Sequence, residues 1–275
     1  MMISFLILGI CCAACEDKEE IRELSALRTI SIPVQWIDEA EPVEEKLTLR
    51  KGGEDELPQG PSSFDVMSDR SFVIADPLLR RIVRYDSLGN FISATDVGMR
   101  VSRVRRETDG DLYLKNFSTD AEYMLTEDAG IMPVDTSLKS RDIDSGHQVK
   151  ISGRDQGTIF RQGVRSLEDN SIDVRFKSDS TQMIAMQYLG ADEENNPVVA
   201  LETTGGNATI DIIKIIRKYS VDGTPLCQFR DIAVDYAVYP EDAFRVHGDY
   251  VYQFVPRETD VMIKVWDTAQ CETNK

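Results

Sequence analysis

The residue types that most often carry catalysis are scarce in this sequence. Its 275 residues include two histidines, His147 and His247. A catalytic zinc site usually has three protein ligands and an open position, so two histidines cannot form a histidine-only site. Serine is plentiful, but no Gly-x-Ser-x-Gly motif places a serine on a nucleophile turn. We therefore assign no catalytic residue, no metal site and no cofactor, and an enzyme is the less favoured interpretation.

Two acidic clusters contain the oxygen ligands that calcium prefers. They are TDGD at residues 108–111 and DEENN at residues 192–196. Both fall where a hairpin turn is expected, and Asp and Asn are common in turns because their side chains accept hydrogen bonds from nearby backbone N–H groups. The turn interpretation is favoured for both.

Four arginines lie close together, in contrast to the acidic composition of the chain. Arg100, Arg103, Arg105 and Arg106 occupy one strand-like stretch. Alternate residues of a strand share a face, so Arg103 and Arg105 are expected on the same side. They are the candidate residues for binding an anionic ligand. Ion pairs with the abundant carboxylates are the favoured alternative.

The net charge argues against one class of partner. The formal charge is −17 at pH 7 and the isoelectric point is about 4.6. Binding to a phosphate backbone requires a basic surface, so we expect no nucleic-acid partner. The simplest role of the acidic surface is solubility.

Four short β-type runs between residues 63 and 97 set the pattern for the chain. They cover residues 63–67, 71–76, 81–86 and 91–94, with turn-forming residues between them. One antiparallel unit of this size buries too little apolar surface to be stable alone. It must therefore pack against further units.

Similar units recur along the chain. Tyr85 precedes Gly89 by four positions, and Tyr219 precedes Gly223 at the same spacing. The two glycines are therefore expected in equivalent turns and should respond alike to substitution. Further hairpins are expected at residues 109–114, 195–201 and 247–252. Recurrence of this kind indicates β-sheets stacked around an axis.

The repeated unit resembles a blade of the NHL-type six-bladed β-propellers. The resemblance is carried by FVIADPLLRRIVRYDSLGNFI at residues 72–92, KYSVDGTPL at 218–226 and DYVYQFV at 249–255. Leu79 or Arg80 replaces the usual asparagine, and residues 139–182 retain little of the signature. The resemblance implies an all-β propeller in which Asp76 and Arg81 hold turns and strand registry.

The same resemblance implies two enzyme types to compare. NHL-like amidating lyases bind zinc through histidines, which this chain lacks in sufficient number. Lactonase-type propellers bind calcium through carboxylate and asparagine ligands. A binding or scaffolding module with an unknown ligand or protein partner is the favoured function. A metal-dependent, carboxylate-liganded hydrolase or lyase is the alternative.

Six blades are favoured and five are the alternative. Third-strand anchors are expected at Tyr85, Thr126, Phe176, Tyr219 and Trp266. Strands near residues 28–34 and 46–50 are expected to close the ring by joining a sheet completed at the far end of the chain. Together with the irregular segment 144–163 they would supply a sixth blade. The propeller domain is predicted to cover residues 28–275.

The amino-terminal segment predicts export and lipid attachment. Residues 1–14 are apolar but too short to span a bilayer, which is typical of a signal peptide. The sequence CAAC at residues 12–15 resembles a bacterial lipobox, which implies acylation of Cys15. The acidic residues 15–27 form a predicted tether and resemble the surface-export signal of Bacteroidetes lipoproteins. We expect an outer-membrane lipoprotein that faces the periplasm or the cell surface.

Two cysteines remain after removal of the signal peptide and acylation of Cys15. Cys227 lies in a predicted outer strand and Cys271 lies in the carboxyl-terminal tail. An exported compartment permits a disulfide, but bonding requires the tail to fold back. Free thiols are the favoured state.

Replacement of Cys15 by alanine should move the protein from the membrane fraction to the soluble or secreted fraction. Each buried methylene of an acyl chain contributes about 0.8 kcal/mol, so two or three chains hold a protein firmly at a membrane. Fractionation tests the shift, and mass spectrometry of the wild type should find a lipid-modified peptide beginning at Cys15. An unmodified mature end elsewhere would contradict the anchor.

Overall fold

The computed structural model is built almost entirely from β-strands. It describes residues 21–54, 56–107, 110–126, 130–134, 147–152, 155–161, 171–176, 181–205 and 212–272. In chain order the strands are β1 (Arg22–Leu24), β2 (Arg28–Trp36), β3 (Leu47–Leu49), β4 (Ser63–Val66), β5 (Phe72–Asp76), β6 (Arg81–Tyr85), β7 (Phe91–Asp96), β8 (Val101–Arg106), β9 (Leu112–Asn116), β10 (Glu122–Leu125), β11 (Ile131–Pro133), β12 (His147–Ile151), β13 (Gln156–Arg161), β14 (Ser171–Arg175), β15 (Thr181–Ala191), β16 (Pro197–Gly205), β17 (Ile212–Tyr219), β18 (Pro225–Phe229), β19 (Phe244–His247), β20 (Tyr250–Pro256) and β21 (Asp260–Asp267). A 3₁₀ helix, Thr268–Glu272, follows the last strand.

The described strands form five sheets, which are the blades of a β-propeller. Blade 1 contains β4–β7, blade 2 contains β8–β11 and blade 3 contains β12–β14. Blade 4 contains β15–β18 with β1 added at its edge, and blade 5 contains β19–β21 with β2 and β3 added. Strands that follow one another in sequence within a blade pair in antiparallel fashion, except for β2 and β3, which pair in parallel. The all-β propeller predicted from the sequence is confirmed.

Blade 1 shows why these sequences form buried strands. Successive side chains of a strand point to opposite faces of the sheet. Phe64, Ile74 and Val83 pack on one face against apolar residues of blade 5. Val73 and Ile82 pack on the other face against apolar residues of blade 2. Because both faces are covered, β5 is buried along its whole length, and its sequence is apolar up to Asp76.

The first strands of the blades lie side by side around a central channel. β4 contacts β8 of blade 2 and β19 of blade 5, and β15 of blade 4 contacts β12 and β19. The segment 139–182, which retains little of the blade signature, supplies β12, β13 and β14. Parts of that segment, including residues 139–146 and 162–170, lie outside the described residues.

The amino-terminal strands close the ring as predicted. β2 pairs with β21 in antiparallel fashion, and β3 pairs with β2 in parallel fashion. Ile30 and Ile32 of β2 are buried in the cluster shared by blades 1 and 5. The two ends of the propeller therefore complete one sheet.

The number of sheets in the described part of the chain is five, the lower of the two predicted counts. The favoured sixth blade drew on the amino-terminal strands and on residues 144–163. In the structure the amino-terminal strands complete blade 5, and β12 and β13 belong to blade 3. The described residues of both segments therefore belong to the five sheets and do not form a sixth one.

The first described strand lies within residues 15–27, the span predicted as a tether. β1 pairs in parallel with β18, and Leu24 is buried among apolar residues of blades 4 and 5. Arg230 forms an ion pair with Glu23 beside it. Ordered structure therefore begins before residue 28, because Leu24 completes an apolar cluster that blade 4 leaves open.

Cys227 and Cys271 form a disulfide, so the prediction of free thiols is wrong. Their Cα atoms are 5.4 Å apart and 44 positions separate them. Trp266 lies at the end of the last strand and packs in the same cluster as Cys227. The 3₁₀ helix that follows turns the tail back onto blade 4, which brings Cys271 to β18.

Substitution of the two equivalent turn glycines should not have equal effects. Gly89 and Gly223 have φ angles of +90° and +86°, so a β-carbon costs about 1–2 kcal/mol at either. At Gly89 the new atom would lie 2.7 Å from the Ile30 side chain, which can yield, whereas at Gly223 it would collide with the backbone carbonyl of Asp173. We expect Gly223→Ala to destabilise by roughly 1–3 kcal/mol more than Gly89→Ala.

Urea unfolding of both variants tests this difference. Gly98→Ala is the control, because Gly98 has a φ of +66° and no atom within 4 Å of the added carbon, so backbone strain alone acts there. Equal losses at Gly89 and Gly223 would contradict the packing of blade 3 against the blade 4 turn.

Candidate functional site

The central channel carries charged side chains on the first strands of three blades. In β19, Phe244 and Val246 pack in the apolar cluster of blades 4 and 5. Strand alternation therefore turns Arg245 and His247 to the opposite face of the sheet. On that face Arg245 lies 3.5 Å from Asp65 of β4 and donates to the Val104 carbonyl of β8 at 3.4 Å. Asp65 of β4 and Arg103 of β8 lie on the neighbouring first strands.

Three of these residues form one network with Asp242, which precedes β19. This network of Asp65, Arg103, Asp242 and Arg245 is here called the channel network. Arg103 binds the Asp242 carboxylate with two hydrogen bonds, of 2.6 Å from Nε and 3.1 Å from a terminal nitrogen. Arg245 donates to the same carboxylate at 3.1 Å and lies 3.5 Å from Asp65. The network therefore links blades 1, 2 and 5 through alternating charges.

Asp242 is held as a carboxylate. Its burial would raise the pKa, but the hydrogen bond from Arg103 and the charge of Arg245 outweigh burial and lower the pKa. Asp65 is held by backbone groups as well, since the N–H groups of Val66 and Arg106 each donate to it at 2.7 Å. The network is thus fixed by main-chain and side-chain contacts together.

Arg103 and Arg105, the two candidate ligand-binding residues, have different partners. Arg103 joins the channel network. Arg105 lies 2.7 Å from Glu107 and 4.0 Å from Glu122, in blade 2. The structure therefore brings Arg103 to Asp242, whereas Arg105 forms ion pairs within blade 2.

Two further buried ion pairs hold blade turns and strand ends. Asp76 accepts hydrogen bonds from Thr48 and from Arg81, the latter at 3.0 Å. Burial raises the Asp76 pKa although both partners oppose it. Asp192 lies 2.5 Å from the fully buried Lys218. The Asp76–Arg81 pair joins blade 1 to β3 through Thr48, which is the structural role expected for these two residues. The Asp192–Lys218 pair joins β17 to the turn before β16.

The acidic cluster at residues 192–196 is a turn, as predicted. Asp192 accepts hydrogen bonds from the backbone N–H groups of Glu194 at 3.0 Å and Asn196 at 2.8 Å. In the other cluster, residues 108 and 109 lie outside the described residues. Among the residues that are described, no group of three or more His, Cys, Asp or Glu side chains could hold a metal ion.

The network also contains residues that sequence reasoning did not single out. Asp242 precedes β19 in an irregular connection, Asp65 lies in the predicted β-type run 63–67, and Arg245 lies just before the predicted hairpin at 247–252. The signal available in the sequence was the alternation of β19, FRVH, which places a charge at every second position. Nothing in the sequence paired that strand with β8.

The predicted anchor lies outside the described residues. Cys15, the signal peptide at residues 1–14 and the first part of the tether are in the span 1–20, so all three remain predictions. Within the described part of the chain, no helix has the length and apolar character needed to cross a bilayer.

The five sheets define this chain as a β-propeller protein, and comparisons add no narrower class. No family model matches the sequence, and no curated protein sequence matches it. Virginiamycin B lyase from Staphylococcus aureus is similar at a TM-score of 0.34 and 12% identity, over 75% of this chain and 94% of that one. A gluconolactonase from Xanthomonas campestris (TM-score 0.32, 9% identity, 88% and 99% covered) and a DUF4221 family member from Bacteroides vulgatus (0.34, 8%, 91% and 99%) are also similar. Because these TM-scores are low, the assignment of the fold rests on the five sheets themselves.

Replacement of Asp242 by asparagine should destabilise the protein by about 3 kcal/mol, because two partly buried guanidinium groups lose their shared counter-ion. The Asp242 pKa is lowered from 3.8, so its contribution is present above that pH and is lost as pH falls through the folded pKa. The difference in unfolding free energy between the wild type and the Asp242→Asn variant should therefore become smaller in acid.

Urea unfolding at neutral and acidic pH measures both effects. Glu39→Gln is the matched control, since Glu39 pairs with Lys51 at 2.7 Å on the exposed surface and should contribute little to stability. A loss at Asp242 no larger than this control would show that the network does not hold the blades together.

Proposed function

We propose that this chain is an exported, lipid-anchored β-propeller of NHL-like type that binds a ligand or protein partner at the bacterial cell envelope. The anchor is Cys15, the location is the outer membrane, and the propeller faces the periplasm or the cell surface. Nucleic acid is not a partner. The observation that carries the binding function is the channel network of Asp65, Arg103, Asp242 and Arg245.

The network supports binding because its side chains are already ordered. Ordering a rotamer-rich side chain on binding costs about 0.5–1.5 kcal/mol. Arg103 and Arg245 are held by Asp242 from two blades, and Arg245 also donates to the backbone carbonyl of Phe244 at 3.0 Å. A ligand entering the channel meets polar groups whose positions are set in advance.

The carboxylates favour binding over the alternative of a metal-dependent hydrolase or lyase. Calcium would need Asp65 and Asp242 as oxygen ligands. Each of these carboxylates already contacts Arg245, and Asp242 contacts Arg103 too. A divalent cation would have to displace guanidinium groups and then remain beside their charge. The alternative is therefore the less favoured function.

The place of β1 supports a short tether. Arg22 lies seven positions after Cys15, and seven residues span at most about 25 Å when extended. An anchor at Cys15 would thus hold the outer edge of blade 4 close to the lipid. The net charge of −17 would keep the rest of the propeller away from an anionic surface.

Components of the bacterial envelope should raise the unfolding temperature of the full-length protein in detergent. A ligand that binds only the native state stabilises it by mass action, by about 2.7 kcal/mol at one hundred times its Kd. The double variant Arg103→Gln/Asp242→Asn removes both partners of one channel pair and should lose the effect. The double variant Lys51→Gln/Glu39→Gln removes an exposed pair and should retain it.

Thermal unfolding with size-fractionated envelope extract, and capture of envelope proteins on the immobilised protein, provide the two measurements. A complete lack of response in both would contradict the binding function. Hydrolysis of a lactone that requires added calcium and stops with a chelator would instead favour the alternative.

A further inference from the structure

Arg106 has a guanidinium group without a carboxylate partner at the end of the channel. Its backbone N–H donates to Asp65 at 2.7 Å, and Asp65 also contacts Arg245. Asp65 is thereby occupied, and the half-buried Arg106 side chain has no carboxylate of the described residues within 4.0 Å. The backbone of Arg106 holds β8 in place, and the charge of its guanidinium group is available to another group.

His247 lies beside this charge. It is two positions after Arg245 on β19, so both side chains lie on the same face of the sheet. On β8, Arg106 likewise follows by two positions the Val104 carbonyl, to which Arg245 donates at 3.4 Å. The imidazole is half-buried and makes no hydrogen bond to a described residue. Across the hairpin, His247 pairs with Tyr250, and the guanidinium of Arg70 stacks on the Tyr250 ring at 4.5 Å.

The charged groups that face His247 come from four elements. Arg106 on β8 and Arg70 in the turn after β4 are positive, while Asp65 on β4 and Glu193 in the turn after β15 are negative. Burial is the largest cause that lowers the His247 pKa, and the charges of Arg106 and Arg70 lower it too, whereas Asp65 and Glu193 oppose the shift. At neutral pH the imidazole is therefore uncharged and offers an N–H donor next to a cation.

We propose that Arg106 and His247 form an anion site at this end of the channel, and that its ligand is a monoanionic carboxylate. The guanidinium fork matches the two oxygens of a carboxylate. The negative charges of Asp65 and Glu193 both act on His247 and would repel a dianionic phosphate more strongly than a single negative charge. This inference rests on the proposed binding function and names the ligand class for it.

The site couples ligand binding to protonation. A carboxylate bound against the imidazole favours the charged form and raises the His247 pKa. By linkage, protonation of His247 must then strengthen carboxylate binding. Affinity should increase as pH falls through the pKa of the bound state.

Acetate is the probe, and the full-length protein in detergent with ¹⁵N-labelled histidine is the sample. The chain has two histidines, so His247→Gln assigns both sets of resonances and His147 serves as an internal reference. In the free protein His247 should titrate below 6.5, its ordinary value. Saturating acetate should raise that midpoint, and inorganic phosphate should bind more weakly than acetate.

Arg106→Gln should raise the His247 midpoint of the free protein and weaken acetate binding about tenfold, as expected for one lost charge-assisted hydrogen bond. Arg106→Lys retains the charge and should keep the low midpoint while still binding less tightly. Arg50→Gln removes an exposed arginine at the end of β3 and should change neither quantity. Circular dichroism verifies that each variant is folded.

A His247 titration that is identical with and without acetate would overturn the anion site. If envelope components still raised the unfolding temperature, the binding function would stand without it. Tighter binding of phosphate than of acetate would overturn the assignment to a carboxylate. Loss of both the acetate response and the envelope response would remove the site and the function together.

Discussion

Closure of the ring by β2 is the constraint on which the other features depend. The Ser31 hydroxyl donates to Asp260 at 2.5 Å across 229 positions of sequence. The entropy cost of such a long loop grows only with the logarithm of its length, so the apolar face of β2 can offset it. Ile30 and Ile32 enter the cluster that also holds Phe64 and Phe254. Without this strand, β21 would be left as an unpaired edge and the cluster between blades 1 and 5 would lose Ile30 and Ile32.

The same closure brings β19 beside β4 and makes the channel network possible. Asp242 and Arg245 belong to the blade that the amino terminus completes, and their partners belong to blades 1 and 2. Ion pairs between exposed residues contribute little, but these groups are screened from water and share partners. Stability and a fixed channel surface therefore have a common origin. Substitution of one member leaves the charges of the others uncompensated.

Local chemistry in the sequence was enough to predict the propeller fold and the strands of blade 1, but not the site. Alternation and turn residues located β4 to β7 almost to the residue, because those signals act within a few positions. Asp242 has no such signal, because its partner Arg103 lies on the first strand of another blade. The disulfide was missed for the same reason, as the return of Cys271 depends on the packing of Trp266. Gly89 and Gly223 have equal spacing but different neighbours, Ile30 and the Asp173 backbone.

A positive group inside a strongly acidic protein has consequences for how a ligand is recognised. At a net charge of −17, the surface repels an anion at long range and slows its approach. Screening at physiological ionic strength limits that repulsion to about 8 Å. Inside the channel the water content is lower and the effective dielectric constant falls, so Arg106 acts more strongly there than it would on the surface. Recognition of a carboxylate by this propeller would therefore depend on contacts within the channel, with a rate of association that rises as salt is added.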